Sequence, residues 1–340
     1  MARTILMVGT IFHAHDEFAS LSELAPVKRF SKEKSRAEFI RNLDTGLYDD
    51  VFVISRTFDS VTMTGPFDAE MISHLPKSVK FICHNGAGFD QINIAACTAR
   101  GIGVSTTPGA VNAGTANVAI YLILSALRTT WIPESELRAG RWRGATPLGR
   151  DPDSMILGVL GMGGIGRTTA KRAVAFGFKI QYSNEFPVKG LKEELGVDYE
   201  PVYVPTDELL RTSDVISIHV PLLPSTRGLI NDKTIATMKK GVVIVNTARG
   251  PIIDEAALVR GLDSGKISSV GLDVFEKEPA ILPGLLDNPR AVLLPHIGTM
   301  TVDTQKKMEV LVIDNVKNAL SQGKLLTKVP DVGTPPASKL

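Results

Sequence analysis

Three ionisable residues in the last third of the chain follow apolar runs that are typical of buried strands. Arg249 lies in VNTARGP, Glu278 in GLDVFEKEP and His296 in LLPHIGTMT. Ligands bind outside the carboxyl ends of parallel strands, so these side chains are expected to converge. A His paired with a carboxylate donates and accepts protons, and an Arg binds a carboxylate through two hydrogen bonds. Singly, each residue also fits a surface turn, a solvated loop or a strand cap. Together they favour proton transfer on an acid substrate.

A glycine cluster, GMGGIG, lies between a strand-like run and a helical segment. Gly161, Gly163 and Gly166 have the G-x-G-x-x-G spacing, and Gly164 and Ile165 complete the loop. The first glycine permits a tight turn, the second lets the backbone approach a pyrophosphate, and the third lets the helix pack on the sheet. The motif alone is also compatible with an ordinary strand–helix turn. Its position within a series of strands favours nucleotide binding.

The elements that must position these residues form two series of short apolar runs alternating with helix-like segments. This alternation predicts an α/β protein whose parallel sheets are covered by helices, and the second series has the six strands that a doubly wound dinucleotide-binding domain requires. The strand-like runs are 4–9, 51–55, 79–83, 102–105, 155–161, 178–182, 215–220, 241–246, 268–274 and 291–295. The segment 112–128 predicts a buried helix, and 304–323 predicts an amphipathic one.

Composition limits the partners of the protein. The 340 residues are enough for two domains, and 22% charged residues with a net charge of +2 imply no nucleic-acid partner. No apolar stretch is long enough to span a membrane. Cys83 and Cys97 lie in apolar surroundings and are expected to be buried thiols of a reducing compartment. We predict no metal site.

A set of longer motifs resembles the D-isomer-specific 2-hydroxyacid dehydrogenases, and within them the glyoxylate/hydroxypyruvate reductases, particularly fungal ones. The motifs occur in the family's order. They are NGAGFDQIN (85–93), TTPGAVNAGTANVA (106–119), GMGGIG (161–166), HVPLLPSTRGLI (219–230), VNTARGPIIDEAAL (245–258), GLDVFEKEP (271–279) and PHIGTMT (295–301).

The resemblance implies two doubly wound parallel-sheet domains. One is a discontinuous, flavodoxin-like substrate-binding domain, residues 1–108 and 303–340, and the other is an NAD(P)-binding Rossmann domain, residues 109–302. The chain would cross between them near Pro108–Gly109 and Gly298–Thr301, which are expected to act as hinges for closure.

The implied reaction is hydride transfer between nicotinamide C4 and C2 of a small 2-oxo or 2-hydroxy acid. His296 would protonate the forming alkoxide, and Glu278 would hold the imidazole and raise its proton affinity. Arg249 would bind the carboxylate and carbonyl of the acid. The backbone N–H groups of Ala87 and Gly88 would bind the other carboxylate oxygen.

The resemblance also assigns residues around the cofactor. Asp273 would bond the nicotinamide carboxamide, and Thr115 would lie near the phosphates. The further cofactor-binding residues are Val220, Pro221 and Thr226 beside the adenosine half, and Thr247, Ala248, Arg249, His296 and Gly298 around the nicotinamide.

The choice between NADPH and NADH depends on QYSNEF (181–186). Ser183 and Asn184 stand where many members carry an acid that binds the ribose and repels a 2′-phosphate, so NADPH is predicted to be preferred. Lys189 or Arg167 would supply positive charge. If Glu185 points inward and binds the ribose, NADH is the preferred cofactor instead.

A tryptophan in a Gly-, Pro- and Arg-rich segment points to a second copy of the chain. Trp142 matches a residue that in relatives reaches across a dimer, and the segment 131–152 would be the contact arm of a homodimer. Packing of Trp142 on its own chain is the alternative.

Asn117 replaces an acid that is common in the family.

The last three residues match a peroxisomal address. Ser338, Lys339 and Leu340 follow an extended, Pro-rich segment, so recognition by a peroxisomal import receptor is expected if the source is eukaryotic. Otherwise a cytoplasmic location is expected.

Two alternatives to a glyoxylate/hydroxypyruvate reductase remain open. One is a dehydrogenase for bulky acids of the D-mandelate type, since residues 11–18, 55–58 and Met300 shape a pocket of unknown volume. The other is a nucleotide-sensing corepressor on the same fold. It would bind the cofactor without turnover.

Overall fold

The structure, a computed structural model, describes residues 3–30 and 35–331. The predicted peroxisomal address, Ser338 to Leu340, lies outside the described residues.

The described chain alternates strands with helices. The strands are β1 Thr4–Val8, β2 Val27–Phe30, β3 Val51–Arg56, β4 Phe81–His84, β5 Gly103–Ser105, β6 Ile156–Leu160, β7 Lys179–Ser183, β8 Val202–Tyr203, β9 Val215–Ile218, β10 Val242–Asn246, β11 Ile267–Leu272 and β12 Ala291–Leu293. The α-helices are α1 His15–Ala19, α2 Arg36–Asp44, α3 Val61–Thr64, α4 Ala69–His74, α5 Ile94–Ala99, α6 Asn112–Arg128, α7 Trp131–Arg138, α8 Gly164–Ala173, α9 Leu191–Leu195, α10 Thr206–Thr212, α11 Asp232–Thr237, α12 Glu255–Asp263, α13 Pro283–Leu286 and α14 Val302–Gln322.

The chain divides into two compact units. Unit 1 comprises Met1–Val111 and Thr301–Leu340, and unit 2 comprises Asn112–Met300. Each unit contains its own parallel sheet, so the predicted α/β class with two parallel-sheet domains is confirmed.

Unit 1 is built on a sheet with the order β2-β1-β3-β4-β5, which is the flavodoxin-like arrangement. Alternate residues of its strands face opposite layers, as strand geometry requires. On one face Ile5 and Met7 pack against Val312 and Val316 of α14. The final helix therefore packs on the first sheet.

One strand of unit 1 was not anticipated from the sequence. β2 reads VKRF, and only its last residue, Phe30, is buried. It pairs along one side with β1 and forms the edge of the sheet. An edge strand tolerates charged side chains such as Lys28 and Arg29, so it lacks the apolar run of an inner strand.

Unit 2 is built on a sheet with the order β12-β11-β10-β9-β6-β7-β8. Counted from β6, this is the doubly wound dinucleotide order, whose direction reverses between β6 and β9. The six predicted strands are present. The seventh, β8, has two exposed residues, Val202 and Tyr203, and carries no periodic signal. Helix α6 covers one face, with Leu122 and Ile123 fully buried.

Cys83 and Cys97 are buried and form no disulfide, and burial raises the pKa of each thiol to about 12. Within residues 3–30 and 35–331, every helix is too short or too polar to traverse a lipid bilayer.

Candidate active site

The catalytic candidates of unit 2 follow three adjacent strands. Arg249 comes after β10, Glu278 after β11 and His296 after β12, and these strands pair side by side in parallel. Their carboxyl ends therefore meet at one edge of the sheet. The structure brings together the three residues that the sequence singled out.

His296 and Glu278 form a hydrogen-bonded pair. The Nδ1 atom of His296 lies 2.8 Å from Oε2 of Glu278, and Oε1 of the same carboxylate accepts the backbone N–H of Phe275 at 3.0 Å. Burial acts to raise the pKa of Glu278. The bonds from His296 and Phe275, with the charge of Arg249, outweigh it and hold that pKa below its usual value. Glu278 is therefore an anion that orients the imidazole.

The backbone of His296 is held in an uncommon conformation. Its φ of 55° lies in the left-handed region, which a residue with a side chain seldom adopts. Asp273 secures the residues that follow, because its two oxygens accept the N–H groups of Ile297 and Gly298, each at 2.8 Å. Strain that neighbouring bonds maintain is a feature of functional sites. Asp273 thus holds in place the backbone that follows His296.

Asp273 lies almost completely buried. Burial raises the pKa of its carboxyl group above the ordinary value, although the two backbone N–H groups and the charge of His296 act in the opposite direction. A Cβ atom added at Gly298 would lie 3.1 Å from Oδ2 of Asp273 and 3.4 Å from Oγ1 of Thr115. Asp273, Thr115 and Gly298 are therefore neighbours.

Arg249 is positioned by a residue that sequence reasoning missed. The buried Asn246 donates through Nδ2 to the carbonyl of Arg249 at 2.9 Å and accepts the N–H of Ala248 at 3.0 Å. The guanidinium donates to the carbonyl of Ala248 at 2.7 Å. Asn246 closes the turn after β10, and its place at the end of an apolar run was the available signal. Beside it, Thr247 has a buried hydroxyl with no partner among the described residues.

The glycine loop connects β6 to α8 and has the shape of a phosphate site. A Cβ at Gly166 would lie 2.1 Å from the carbonyl oxygen of Gly161, whereas a Cβ at Gly163 would meet no atom within 4 Å. Gly164 and Ile165 form the first turn of α8, whose N–H groups lack intrahelical partners. The close contact at Gly166 packs α8 tightly on the sheet, and the open space at Gly163 leaves room for the pyrophosphate of a dinucleotide.

At the end of β7, the side chains of QYSNEF have definite partners. The Ser183 hydroxyl is buried and lies 2.9 Å from Oγ1 of Thr206. Asn184 accepts the N–H of Met162 at 3.3 Å and donates to the carbonyl of Phe186 at 3.1 Å. Asn184 therefore borders the glycine loop directly. Glu185 is exposed.

The two positive charges predicted near this segment, Arg167 and Lys189, differ in their surroundings. Arg167 pairs with Glu194 at 3.2 Å, and both side chains are about two-fifths exposed. The Nε atom of Arg167 is buried and has no hydrogen-bond partner among the described residues. Lys189 is exposed. The charge of Arg167 is thus shared with Glu194, and part of its guanidinium faces solvent.

The loop after β9 is closed by its own residues. The Thr226 hydroxyl donates to the carbonyl of Pro221 at 2.7 Å and accepts the N–H of Leu223 at 2.8 Å. Val220 packs on the core of unit 2. Because β9 is the neighbour of β6, this loop flanks the glycine loop.

Two predicted substrate-binding residues belong to unit 1. Ala87 and Gly88 lie in the loop after β4 and are half-buried. Within the part of the chain that the structure describes, neither backbone N–H has a hydrogen-bond partner. Adjacent N–H groups that point away from their own backbone are suited to a carboxylate oxygen.

Comparison with known proteins places the chain in a family. The family model "D-isomer specific 2-hydroxyacid dehydrogenase, NAD binding domain" matches residues 120–298. The chain is 54% identical to 4-methyl-2-oxopentanoate reductase A of Aspergillus oryzae, over 96% of this chain and 97% of that protein.

Two solved structures are also similar. A glyoxylate reductase from Paecilomyes thermophila superposes with a TM-score of 0.93 at 53% identity, covering 97% of this chain and 98% of that one. The holo form of Rhodotorula graminis D-mandelate dehydrogenase superposes with a TM-score of 0.90 at 33% identity, covering 98% and 100%.

The family model covers most of unit 2, and the relatives match nearly the whole length of the chain. Both findings are consistent with the His296–Glu278 pair at the sheet edge. The family predicted from the motifs is thereby confirmed. The chain belongs to the D-isomer-specific 2-hydroxyacid dehydrogenases, oxidoreductases that act on the CH–OH group of their donors and carry an NAD-binding domain.

Proposed function

We propose that the protein reduces small 2-oxo acids, glyoxylate and hydroxypyruvate, with NADPH as the preferred cofactor. The observation that carries the proposal is the 2.8 Å pair of His296 and Glu278 beside Arg249, at the strand ends of a dinucleotide-binding unit. This arrangement supplies one proton donor and one cation for an acid substrate. The 53% identity to a glyoxylate reductase supports the small acids.

In the proposed reaction, the nicotinamide supplies the hydride, and the chain provides binding and the proton. Arg249 binds the carboxylate and the carbonyl oxygen and thereby orients C2. The imidazole of His296 transfers a proton to the oxygen as negative charge develops there. Glu278 stays ionised and stabilises the ring orientation, because a carboxylate only accepts hydrogen bonds and so requires Nδ1 to donate. Nε2 is then the atom that delivers the proton.

The proposed cofactor preference rests on the end of β7. Gly161 to Gly166 would hold the pyrophosphate, and Ser183 and Asn184 would face the adenosine ribose. Neither carries the negative charge that repels a 2′-phosphate. The partly exposed guanidinium of Arg167 offers positive charge near the start of α8.

A branched 2-oxo acid is the second candidate substrate. The 54% identity to a 4-methyl-2-oxopentanoate reductase favours it, and the likeness to a D-mandelate dehydrogenase is consistent with a larger pocket. The same three catalytic residues serve either substrate, because the reacting carboxylate and carbonyl are identical. The two candidates therefore differ only in the contacts made by the substrate side chain.

We also propose that the segment 131–152 binds a second copy of the chain. In it α7 and the following loop expose large apolar side chains, and Trp142 is 71% exposed. The ion pair of Arg141 with Glu136, at 2.6 Å, holds the segment in shape. Sedimentation of the wild type and of Trp142→Ala tests this: a dimer that the substitution weakens is expected, and a wild-type monomer would refute it.

Initial rates of cofactor oxidation test the proposed function. The purified protein is assayed with glyoxylate, hydroxypyruvate, 4-methyl-2-oxopentanoate and benzoylformate, each with NADPH and with NADH. Higher kcat/KM for the two small acids with NADPH is expected. A higher value for 4-methyl-2-oxopentanoate would assign the second candidate. Cofactor binding without turnover of any acid would favour a nucleotide sensor.

A further inference from the structure

A buried carboxylate on the last helix binds the first loop of the chain. Glu309 lies on α14 and is 1% exposed. Its Oε1 accepts the backbone N–H of Phe12 at 2.8 Å, and its Oε2 accepts those of His13 and Ala14 at 2.9 and 2.8 Å. Three consecutive N–H groups of the β1–α1 loop, residues 9–14, thus donate to one side chain. That side chain belongs to a residue almost 300 positions later in the chain.

This loop lies at the edge of the sheet where ligands bind. It follows β1, which pairs in parallel with β3, and β3 pairs with β4. The loop that carries Ala87 and Gly88 follows β4. The carboxyl ends of these three strands form one continuous edge, and that edge is the ligand-binding edge of an open parallel sheet.

Close packing joins the loop to the next strand end. Gly9 has a φ of 106°, and a Cβ added there would lie 1.9 Å from Oγ1 of Thr57, just after β3. Thr57 donates its N–H to the carbonyl of Val8 at 3.0 Å. The start of the loop is therefore fixed by Thr57, and its second half is fixed by Glu309. Between them, the side chain of Phe12 is half-exposed.

The chemistry of the contact makes the loop position depend on a full negative charge. A carboxylate has enough lone pairs to accept three N–H groups from one side. An amide in its place would present an NH₂ group to at least one of these donors. The loop would then have to move to find other acceptors, because buried N–H groups without partners are strongly disfavoured.

We propose that Glu309 is a positioning residue that sets the selectivity of the enzyme for the size of the 2-oxo acid side chain. It does so by holding the β1–α1 loop, and with it Phe12 and His13, at the ligand-binding edge of unit 1. The inference rests on the proposed function. It adds a specificity determinant that lies on α14 and makes no contact with substrate.

The test compares Glu309→Gln with two control variants of the same helix. Lys306→Ala removes the exposed ion pair to Glu17, at 3.1 Å, which also links α14 to α1. Asn315→Ala removes a buried side chain whose Oδ1 accepts the N–H groups of Leu326 and Thr327, away from the loop. For each variant, kcat/KM is measured with glyoxylate and with 4-methyl-2-oxopentanoate, and the Kd for NADPH is measured separately.

In Glu309→Gln, the ratio of kcat/KM for the two acids is expected to change by about tenfold or more, with an unchanged Kd for NADPH. Amide hydrogen exchange in residues 12–14 should accelerate in this variant alone. Lys306→Ala and Asn315→Ala should keep the wild-type ratio, even if Asn315→Ala lowers the melting temperature. If Glu309→Gln does not fold, Glu309→Asp retains the charge but shortens the reach, and the same shift in ratio is expected.

Two outcomes separate the failure of this inference from the failure of the proposed function. An active wild type with an unchanged ratio in the Glu309 variants would overturn the positioning role only. A wild type that reduces no 2-oxo acid would overturn the proposed function and the inference with it. A ratio that changes equally in Asn315→Ala would also overturn the inference, because general loosening of unit 1 would explain it.

Discussion

The imidazole Nδ1 of His296 and the Oε2 atom of Glu278 lie 2.8 Å apart, while Oε1 of Glu278 is held by a backbone N–H. The carboxylate therefore has one fixed orientation and imposes it on the ring. A left-handed backbone at His296 completes the arrangement. Glu278 thus sets both the orientation of the imidazole and the nitrogen that carries its proton.

Replacing His296 by Ala should abolish reduction and leave cofactor binding largely intact. Loss of a general acid costs about 10²–10⁴-fold in rate. Turnover and NADPH binding are measured on the same preparation, the latter by cofactor fluorescence. A variant that keeps more than about a tenth of the wild-type kcat would show that another group supplies the proton.

Glu278→Gln should lower kcat and change the acid stability of the protein. The pKa of Glu278 is depressed in the folded state below the ordinary 4.5, so its charge stabilises the fold above that pH. This contribution is lost as the pH falls through the lower, folded-state value. The wild type should therefore lose stability more steeply than the variant below about pH 4.5. Melting temperatures across this range measure the difference, and parallel curves would contradict it.

Arg249→Lys should raise KM for the acid by about tenfold or more, because a lysine ammonium cannot form the two-pronged contact of a guanidinium. Arg260→Lys is a matched control on α12, where the arginine pairs with the exposed Asp232. The control should behave as the wild type. Equal effects of both substitutions on KM would remove Arg249 from the substrate site.

Alanine substitutions at two glycines of the same loop should affect different properties, folding at Gly166 and cofactor binding at Gly163. Gly166→Ala would force a methyl group against the carbonyl of Gly161 and should prevent correct packing of α8. Gly163 has a φ of −78°, and its added methyl group meets open space. Gly163→Ala should therefore fold within about 1 kcal/mol of the wild type yet bind cofactor poorly. Circular dichroism and cofactor titration distinguish the two, and normal binding by Gly163→Ala would exclude this loop as the pyrophosphate site.

Asn184→Asp should shift the preference from NADPH towards NADH. A carboxylate beside a 2′-phosphate is repelled, and the ratio of kcat/KM for the two cofactors is expected to fall about tenfold or more. Glu185→Gln is the companion variant. It should leave the ratio unchanged if the exposed Glu185 stays away from the ribose. A loss of NADH use in this companion would instead assign the ribose contact to Glu185.

Much of the fold could be predicted because inner parallel strands are buried on both faces and appear as uninterrupted apolar runs. β1 and β10 were predicted close to their observed bounds for this reason, and α6 was predicted because apolar residues nearly surround it. β2 and β8 were not, since an edge strand such as VKRF needs no apolar run. Burial on one side leaves too weak a pattern to separate a short strand from a loop.

The catalytic triplet could be predicted because chemistry requires particular residue types at strand ends. The residues that position it could not. Asn246 and Asp273 were visible in the motifs, but their bonds to the backbones of Arg249 and Gly298 depend on the turn geometry. Glu309 gave no signal at all, since it reads as one more charge on an amphipathic helix. Its partners come from the opposite end of the chain, and no local pattern encodes such a contact.

The return of α14 to unit 1 determines the order in which the protein matures during synthesis. The β1–α1 loop is translated first, yet the carboxylate that binds it emerges from the ribosome almost 300 residues later. Unit 2 is continuous, so it is complete and able to fold while α14 is still being made. While α14 is still inside the ribosome, unit 2 can therefore be complete, but the β1–α1 loop still lacks the carboxylate that holds it. Under the proposed role of Glu309, competence to bind the cofactor would precede competence to select a substrate.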